Sequence, residues 1–143
     1  LFGPVSEVYA ATTSRVAYPD TGDVISAHLR FAAGPTGYIN AILVTPNYIR
    51  LTIYGTGAWV EVRNHTHPDT PGPVTLTLHR TDNAVETREF QFADTVRENL
   101  ELFARACEGK AEYIFTDVQK IANIATLEAV CGSVAEIAIA PIT

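Results

Sequence analysis

The sequence predicts an α+β domain: an open, mostly antiparallel sheet of about six to seven strands with two helices packed on one face. Three observations predict it. The first two-thirds of the chain alternates apolar and polar residues with a period of two. Short turns of Gly, Pro, Asn and Asp separate these runs, which suits hairpins and leaves no room for crossover helices. The last third changes to helical periodicity.

Taken in order, the strand signals are VSEVYAATTS, DVISAHLRFAA, GYINAILVT, YIRLTIY, AWVEVRN, VTLTLHR and ETREFQF. Between them lie Pro19-Asp20-Thr21-Gly22, Gly34-Pro35-Thr36-Gly37, Pro46-Asn47, Gly55-Thr56-Gly57 and Thr81-Asp82-Asn83. In VTLTLHR, Val74, Leu76 and Leu78 share one face while Thr75, Thr77 and His79 share the other. One sheet face is therefore apolar and the other mixed.

Two helices follow. Thr95-x-x-Glu98 reads as a capping box, succeeded by Leu100, Phe103, Ala104 and Cys107, with Gly109 as the stop. Thr116-x-x-Gln119 opens the second helix, whose expected buried stripe is Ile121, Ile124, Leu127, Cys131 and Val134. Residues 137–142 are apolar enough to return as a short strand. Cys107 and Cys131 both fall in helical patterns and are expected to be reduced core thiols, as in a cytoplasmic protein.

Composition removes several function classes. With 47% hydrophobic and 18% charged residues, the chain can build a packed core in its 143 residues. A net charge of −6 and the lack of a basic patch argue against nucleic acid. No apolar run is long enough for a membrane span, and LFGPVSEVYA lacks the features of a signal peptide. The chain contains no methionine and begins with Leu1, which leads to the expectation that it is part of a longer protein.

YGTGAWVEV contains a Gly-x-Gly, which raises the possibility of a phosphate-cradling loop. A dinucleotide fingerprint needs a third glycine at position 60, occupied here by Val60, and a helix after it. A strand signal follows instead. Gly55-Thr56-Gly57 is expected to be a hairpin turn.

The order of these pieces resembles the C-terminal domain of the Gfo/Idh/MocA oxidoreductases, the glucose–fructose oxidoreductase and inositol dehydrogenase family. LFGPVSEVYA is similar to that domain's first strand and FAAGPTGYINA to its second-to-third strand turn. The apolar strand with its Gly-Thr turn also fits, as does NLELFARACEG, a helix ending in glycine. FTDVQKIANIATLEAVCGSVAEIAIAPI resembles the closing helix and last strand, with Glu128-Ala129 and Ser133 in place.

The resemblance implies that residues 1–143 are one substrate-binding and oligomerisation domain, with the N-terminal Rossmann domain absent from the chain. It implies an NAD(P)-dependent parent oxidoreductase acting on a sugar or polyol, the coenzyme being NAD or NADP, and a homo-oligomer formed through the open sheet face. The family's Glu-Lys-Pro and Asp-x-x-x-His motifs do not occur here, so no catalytic, cofactor-binding or metal-binding residue is expected in this chain, and the isolated chain is expected to be inactive. Thr45, Asn47 and Tyr48, entering the strand before the Gly-Thr turn, are the expected substrate-binding residues.

His65-x-His67-x-Asp69 offers metal-ligand types, but in a Pro/Gly-rich stretch it reads as a solvated connection. A stand-alone binding module or small enzyme, with His28, His79 or Tyr48 doing acid/base work, is the competing class. A purely structural dimerisation domain is the third.

Overall fold

A computed structural model describes residues 2–16 and 23–132 of the chain. The seven strands expected in the first two-thirds of the chain are present: β1 (Val5–Thr13), β2 (Val24–Phe31), β3 (Thr36–Ile42), β4 (Ile49–Tyr54), β5 (Ala58–Asn64), β6 (Val74–Arg80) and β7 (Val85–Phe90). Helices α1 (Thr95–Cys107) and α2 (Asp117–Gly132) follow. Every strand pairing is antiparallel, so the α+β reading holds. Hydrogen bonding divides the strands into two sheets, β1-β2-β3 and β4-β5-β6-β7. The chain forms two compact units, residues 1–44 with 114–143, and residues 45–113.

The first unit holds the core. Register places Val8 beside Leu29, Ala10 beside Ala27 and Thr12 beside Ile25, so these side chains share one face of the three-stranded sheet. Ala10, Ala27 and Leu29 are buried there against Val130 of α2, with Val5, Val8, Ile25 and Phe31 around them. Val5 reaches this face because the ladder slips between Val5 and Glu7; the bulge returns an odd-numbered residue to the even-numbered side. The only buried charged residue among those described is Asp23. Its carboxylate accepts the backbone N–H of Arg15 at 2.8 Å and of Val16 at 2.6 Å. Its own backbone N–H donates to Thr13 and its carbonyl accepts from Leu43, which ties the end of β1 to the ends of β2 and β3.

The opposite face of this sheet is open and mixed. Tyr9, His28 and Tyr38 lie side by side across the three strands, with ring centroids 6.3 Å and 4.7 Å apart. Arg30 pairs with Glu7 on one side of that row, and Ser26 donates to Asn40 on the other.

In the second unit the register is set by the turn. Gly55 donates to the Ala58 carbonyl, which puts Tyr54 opposite Trp59 and every earlier pair in step. Leu51, Ile53, Val60, Val62, Leu76 and Leu78 then fall on one face. Arg50, Thr52, Glu61, Arg63, Thr75 and Thr77 fall on the other. The Thr81-Asp82-Asn83 turn closes as expected, with Asn83 at φ 64° and Asp82 accepting from the Ala84 N–H.

The helix ends follow capping chemistry, with one correction. Thr116 and Gln119 satisfy each other's backbone N–H groups, completing the box expected there. For α1 the N-cap is Asp94, not Thr95: its carboxylate accepts the Arg97 N–H at 3.0 Å. A carboxylate one residue earlier out-competes the threonine because it can bond an amide at the positive end of the helix. Gly109, at φ 69°, ends α1 in a Schellman arrangement, with Lys110 N–H bonded to Arg105 and Gly109 N–H to Ala106.

The expected buried stripe of α2 is also corrected. Ile121, Ile124 and Leu127 are exposed, and the helix turns Ala122, Thr126 and Val130 inward instead. Small residues on the inner face let the helix approach the Ala10–Ala27 pair closely, where larger ones would hold it away. Val134 and the strand expected at 137–142 lie outside the described residues, as does the turn at 19–22. Cys107 and Cys131 are free and exposed, not core thiols: α1 buries none of its residues, and in α2 it is Val130, not Cys131, that is buried.

Truncation should reveal this inversion. Val130→Ala is expected to cost about 1–3 kcal/mol, whereas Ile124→Ala, at 58% exposure, should stay within about 0.5 kcal/mol in the isolated chain. Urea unfolding of both variants checks the ranking, and the reverse order would show that α2 is rotated.

Candidate functional site

The three residues expected to meet substrate lie between β3 and β4, in the segment that leads into the four-stranded sheet. Thr45, Asn47 and Tyr48 are all exposed, Tyr48 by 56%. Tyr48 precedes β4 on the same side as Arg50, and strand pairing sets Arg50 opposite Arg63. The two guanidinium carbons lie 5.7 Å and 5.0 Å from the Tyr48 ring centroid, within cation–π range. Arg50 also reaches Glu61 at 3.6 Å. Next in the row is Thr75, whose hydroxyl lies 3.1 Å from His65 Nε2. The segment thus offers hydroxyl and amide groups beside two cations.

Neither arginine stood out in the sequence. The signal was available, however: a turn spanning Gly55–Ala58 makes paired residue numbers sum to a constant, which sets Arg50 against Arg63 once the hairpin is accepted.

The histidines go to separate places. His28 is stacked between Tyr9 and Tyr38, and His79 lies against Trp59 with centroids 3.7 Å apart and planes at 6°. Both rings lie against aromatic neighbours, and among the described residues neither is paired with a carboxylate that would orient it as a general base. His65 is bonded to Thr75, while His67 Nδ1 and Asp69 Oδ1 are 2.5 Å apart. The hydrogen bond from His67, helped by one from Thr70, holds the Asp69 carboxyl below its usual range. Among the described residues no group of three or more His, Cys, Asp or Glu side chains could hold a metal ion.

Among the described residues, two surface cavities of the second unit stand out. The larger, about 280 Å³, is bounded by the 64–74 connection and by residues 90–95, with His67, Thr70, Phe90 and Phe92 in its wall. Gly72 is required here, since a Cβ at that position would overlap the Thr66 side chain. The smaller, about 230 Å³, lies over Leu76, Leu78 and Phe90, rimmed by Arg80, Glu86 and Arg88. Thr45, Asn47 and Tyr48 line neither.

Nor do the Gly55-Thr56-Gly57 residues fit a dinucleotide. The Gly55 N–H is committed to Ala58, and β5 stands where the pyrophosphate-binding helix would have to begin.

Sequence comparison is silent: no protein-family model and no curated protein matches the chain. Comparison of folds is not. The aldose-aldose oxidoreductase of Caulobacter crescentus, solved with glycerol, superposes with a TM-score of 0.69 at 19% identity, covering 92% of this chain and 39% of that one. The UDP-N-acetylglucosamine 3-dehydrogenase GnnA of Acidithiobacillus ferrooxidans gives a TM-score of 0.72 at 18% identity, covering 92% and 40%. The WlbA dehydrogenase of Bordetella pertussis, solved with NADH and UDP-GlcNAcA, gives 0.61 at 20%, covering 92% and 38%. These neighbours are oxidoreductases of the Gfo/Idh/MocA type, and the chain shares their fold over about two-fifths of their length. No helix among the described residues is long and apolar enough to cross a membrane.

At the rim of the smaller cavity, the hydrogen bond from Arg88 holds the Glu86 carboxyl below its usual 4.5, with Arg80 adding to the effect. A carboxyl depressed in the folded state stabilises above its unfolded value and loses that contribution as pH falls through the folded value. Arg88→Gln should therefore move the Glu86 midpoint upward in a carboxyl NMR titration. An unchanged midpoint would mean that the pair does not form in solution.

Proposed function

We propose that this chain is the C-terminal, substrate-binding and subunit-associating domain of an NAD(P)-dependent oxidoreductase acting on a sugar, polyol or related compound. The observation that carries the proposal is the fold likeness: nine-tenths of the chain superposes on dehydrogenases of the Gfo/Idh/MocA type while spanning only about two-fifths of their length. NAD or NADP would be held by a Rossmann domain elsewhere in the enzyme, because the glycine turn of this chain does not fit it. The neighbours seen with glycerol and with a nucleotide sugar support a polyhydroxylated substrate.

Thr45, Asn47 and Tyr48 are the substrate contacts in this reading. Each carries a group that can bond a sugar hydroxyl, and all three are accessible. The isolated chain should bind no NAD(P)H in a fluorescence titration up to about 100 μM; binding tighter than that would overturn the assignment. The gene's reading frame should also encode a Gly-x-Gly-x-x-Gly Rossmann segment upstream, and a frame opening near Leu1 would count equally against it.

Subunit association is proposed for the face bearing Leu51, Ile53, Val60, Val62, Leu76 and Leu78. That face is apolar over three adjacent strands, and none of its residues is fully buried. Apolar sheet faces of this kind are rarely left to water, and a stable isologous contact would bury upwards of roughly 1,000 Å² in total. Sedimentation at low micromolar concentration should show a dimer or higher species that Val62→Glu returns to monomer. A strictly monomeric parent chain would remove this part of the proposal.

A further inference from the structure

We propose that Arg50 and Arg63, with Tyr48 beside them, bind an oxyanion, either a carboxylate or a phosphate, carried by the substrate. This deepens the reading above and rests on it in one respect, that the 45–48 segment meets substrate.

The two arginines are direct cross-strand partners. Like charges in that position destabilise a sheet, so their juxtaposition calls for a negative charge between them. The chain supplies little of it. Glu61 approaches Arg50 at 3.6 Å through one contact only, and among the described residues Arg63 has no carboxylate within 4.0 Å. Glu89, at the far end of the same row, stands two strands from Arg63, about 10 Å away.

Tyr48 keeps both guanidinium groups over one ring, which reduces the rotamer freedom they would lose on binding. Arginine presents paired N–H donors whose spacing matches two oxygens of a carboxylate or phosphate. The Thr75 hydroxyl, beside Arg63 on the next strand, adds a neutral donor in the His65 tautomer whose Nε2–H donates to it. General attraction does not account for such binding, since the whole chain carries a net charge of −6 and repels anions at long range.

The test uses the chain alone, without coenzyme, so its outcome is separate from that of the oxidoreductase assignment. Sodium pyrophosphate and, in parallel, tricarballylate are titrated at constant ionic strength while amide and arginine side-chain NMR signals are followed. Signals of Tyr48, Arg50, Arg63 and Thr75 should shift together, with saturation below about 20 mM. Arg63→Gln and Arg50→Gln should each weaken the apparent Kd about tenfold or more. Arg63→Lys, which keeps the charge and loses the fork, should fall between. Arg105→Gln, on α1, should change it less than about twofold.

Preference for pyrophosphate would identify a phosphate-bearing substrate, and preference for tricarballylate a carboxylate-bearing one. Absence of saturable shifts with both anions, or an equal loss in Arg105→Gln and Arg63→Gln, would overturn the proposal. The unchanged spectrum elsewhere in each variant reports that the fold is intact.

Discussion

A sheet has two faces, and the structure follows from how few of them its own helices cover. In the first unit α2 covers one face of β1-β2-β3, and that is where the buried apolar residues Ala10, Ala27, Leu29 and Val130 gather. The four-stranded sheet has no fully buried side chain on either face. Its strands are held by their ladders and by cross-strand neighbours such as Trp59 and His79. Burial of apolar surface is the dominant favourable contribution to folding, so a sheet with so little of it leaves its chemistry displayed.

Where the core is thin, polar anchoring matters more. Asp23 stands at the point where β1 ends and β2 begins, and four hydrogen bonds run through it: two into its carboxylate and one each through its N–H and carbonyl. Bonds to an ionised acceptor are roughly twice as strong as neutral ones, and leaving that carboxylate buried without them would be costly. The residue thus joins three strand ends that the small Ala10–Ala27 contact could not align by packing alone.

Most of the strand plan was legible because period-two alternation is a local signal, and each turn carried its own chemistry in Gly, Pro, Asn or Asp. What failed was the reading of faces within α2. Ile121, Ile124 and Leu127 form the more hydrophobic arc, yet Ala122, Thr126 and Val130 face the sheet. Hydrophobicity ranks residues by their gain on burial, whereas the choice of inner face also depends on how close two backbones must come. Thr126 can sit inward because its hydroxyl donates to the Ala122 carbonyl and so needs no partner from the sheet. The Asp94 cap was missed for a simpler reason: two competent caps stood next to each other, and only geometry chooses between them. For the candidate site, the 45–48 segment came from resemblance alone, while the arginine pair beside it needed strand register, which is a property of two segments at once.

The second sheet separates two kinds of chemistry by parity alone. Arg50 and Arg63 have the same parity relation to the Gly55–Ala58 turn as Thr52 and Glu61. Leu51, Ile53, Val60 and Val62 have the opposite one. A slip of β4 by one residue would turn its side chains over, putting Arg50 on the face of Val60 and Val62 and Leu51 on the face of Arg63. The Gly55 N–H bond to Ala58 guards against that slip. A face of arginine, threonine and glutamate and a face of leucine, isoleucine and valine therefore coexist on one sheet, and the device that keeps them apart is the Gly-Thr-Gly turn that superficially resembles a nucleotide loop.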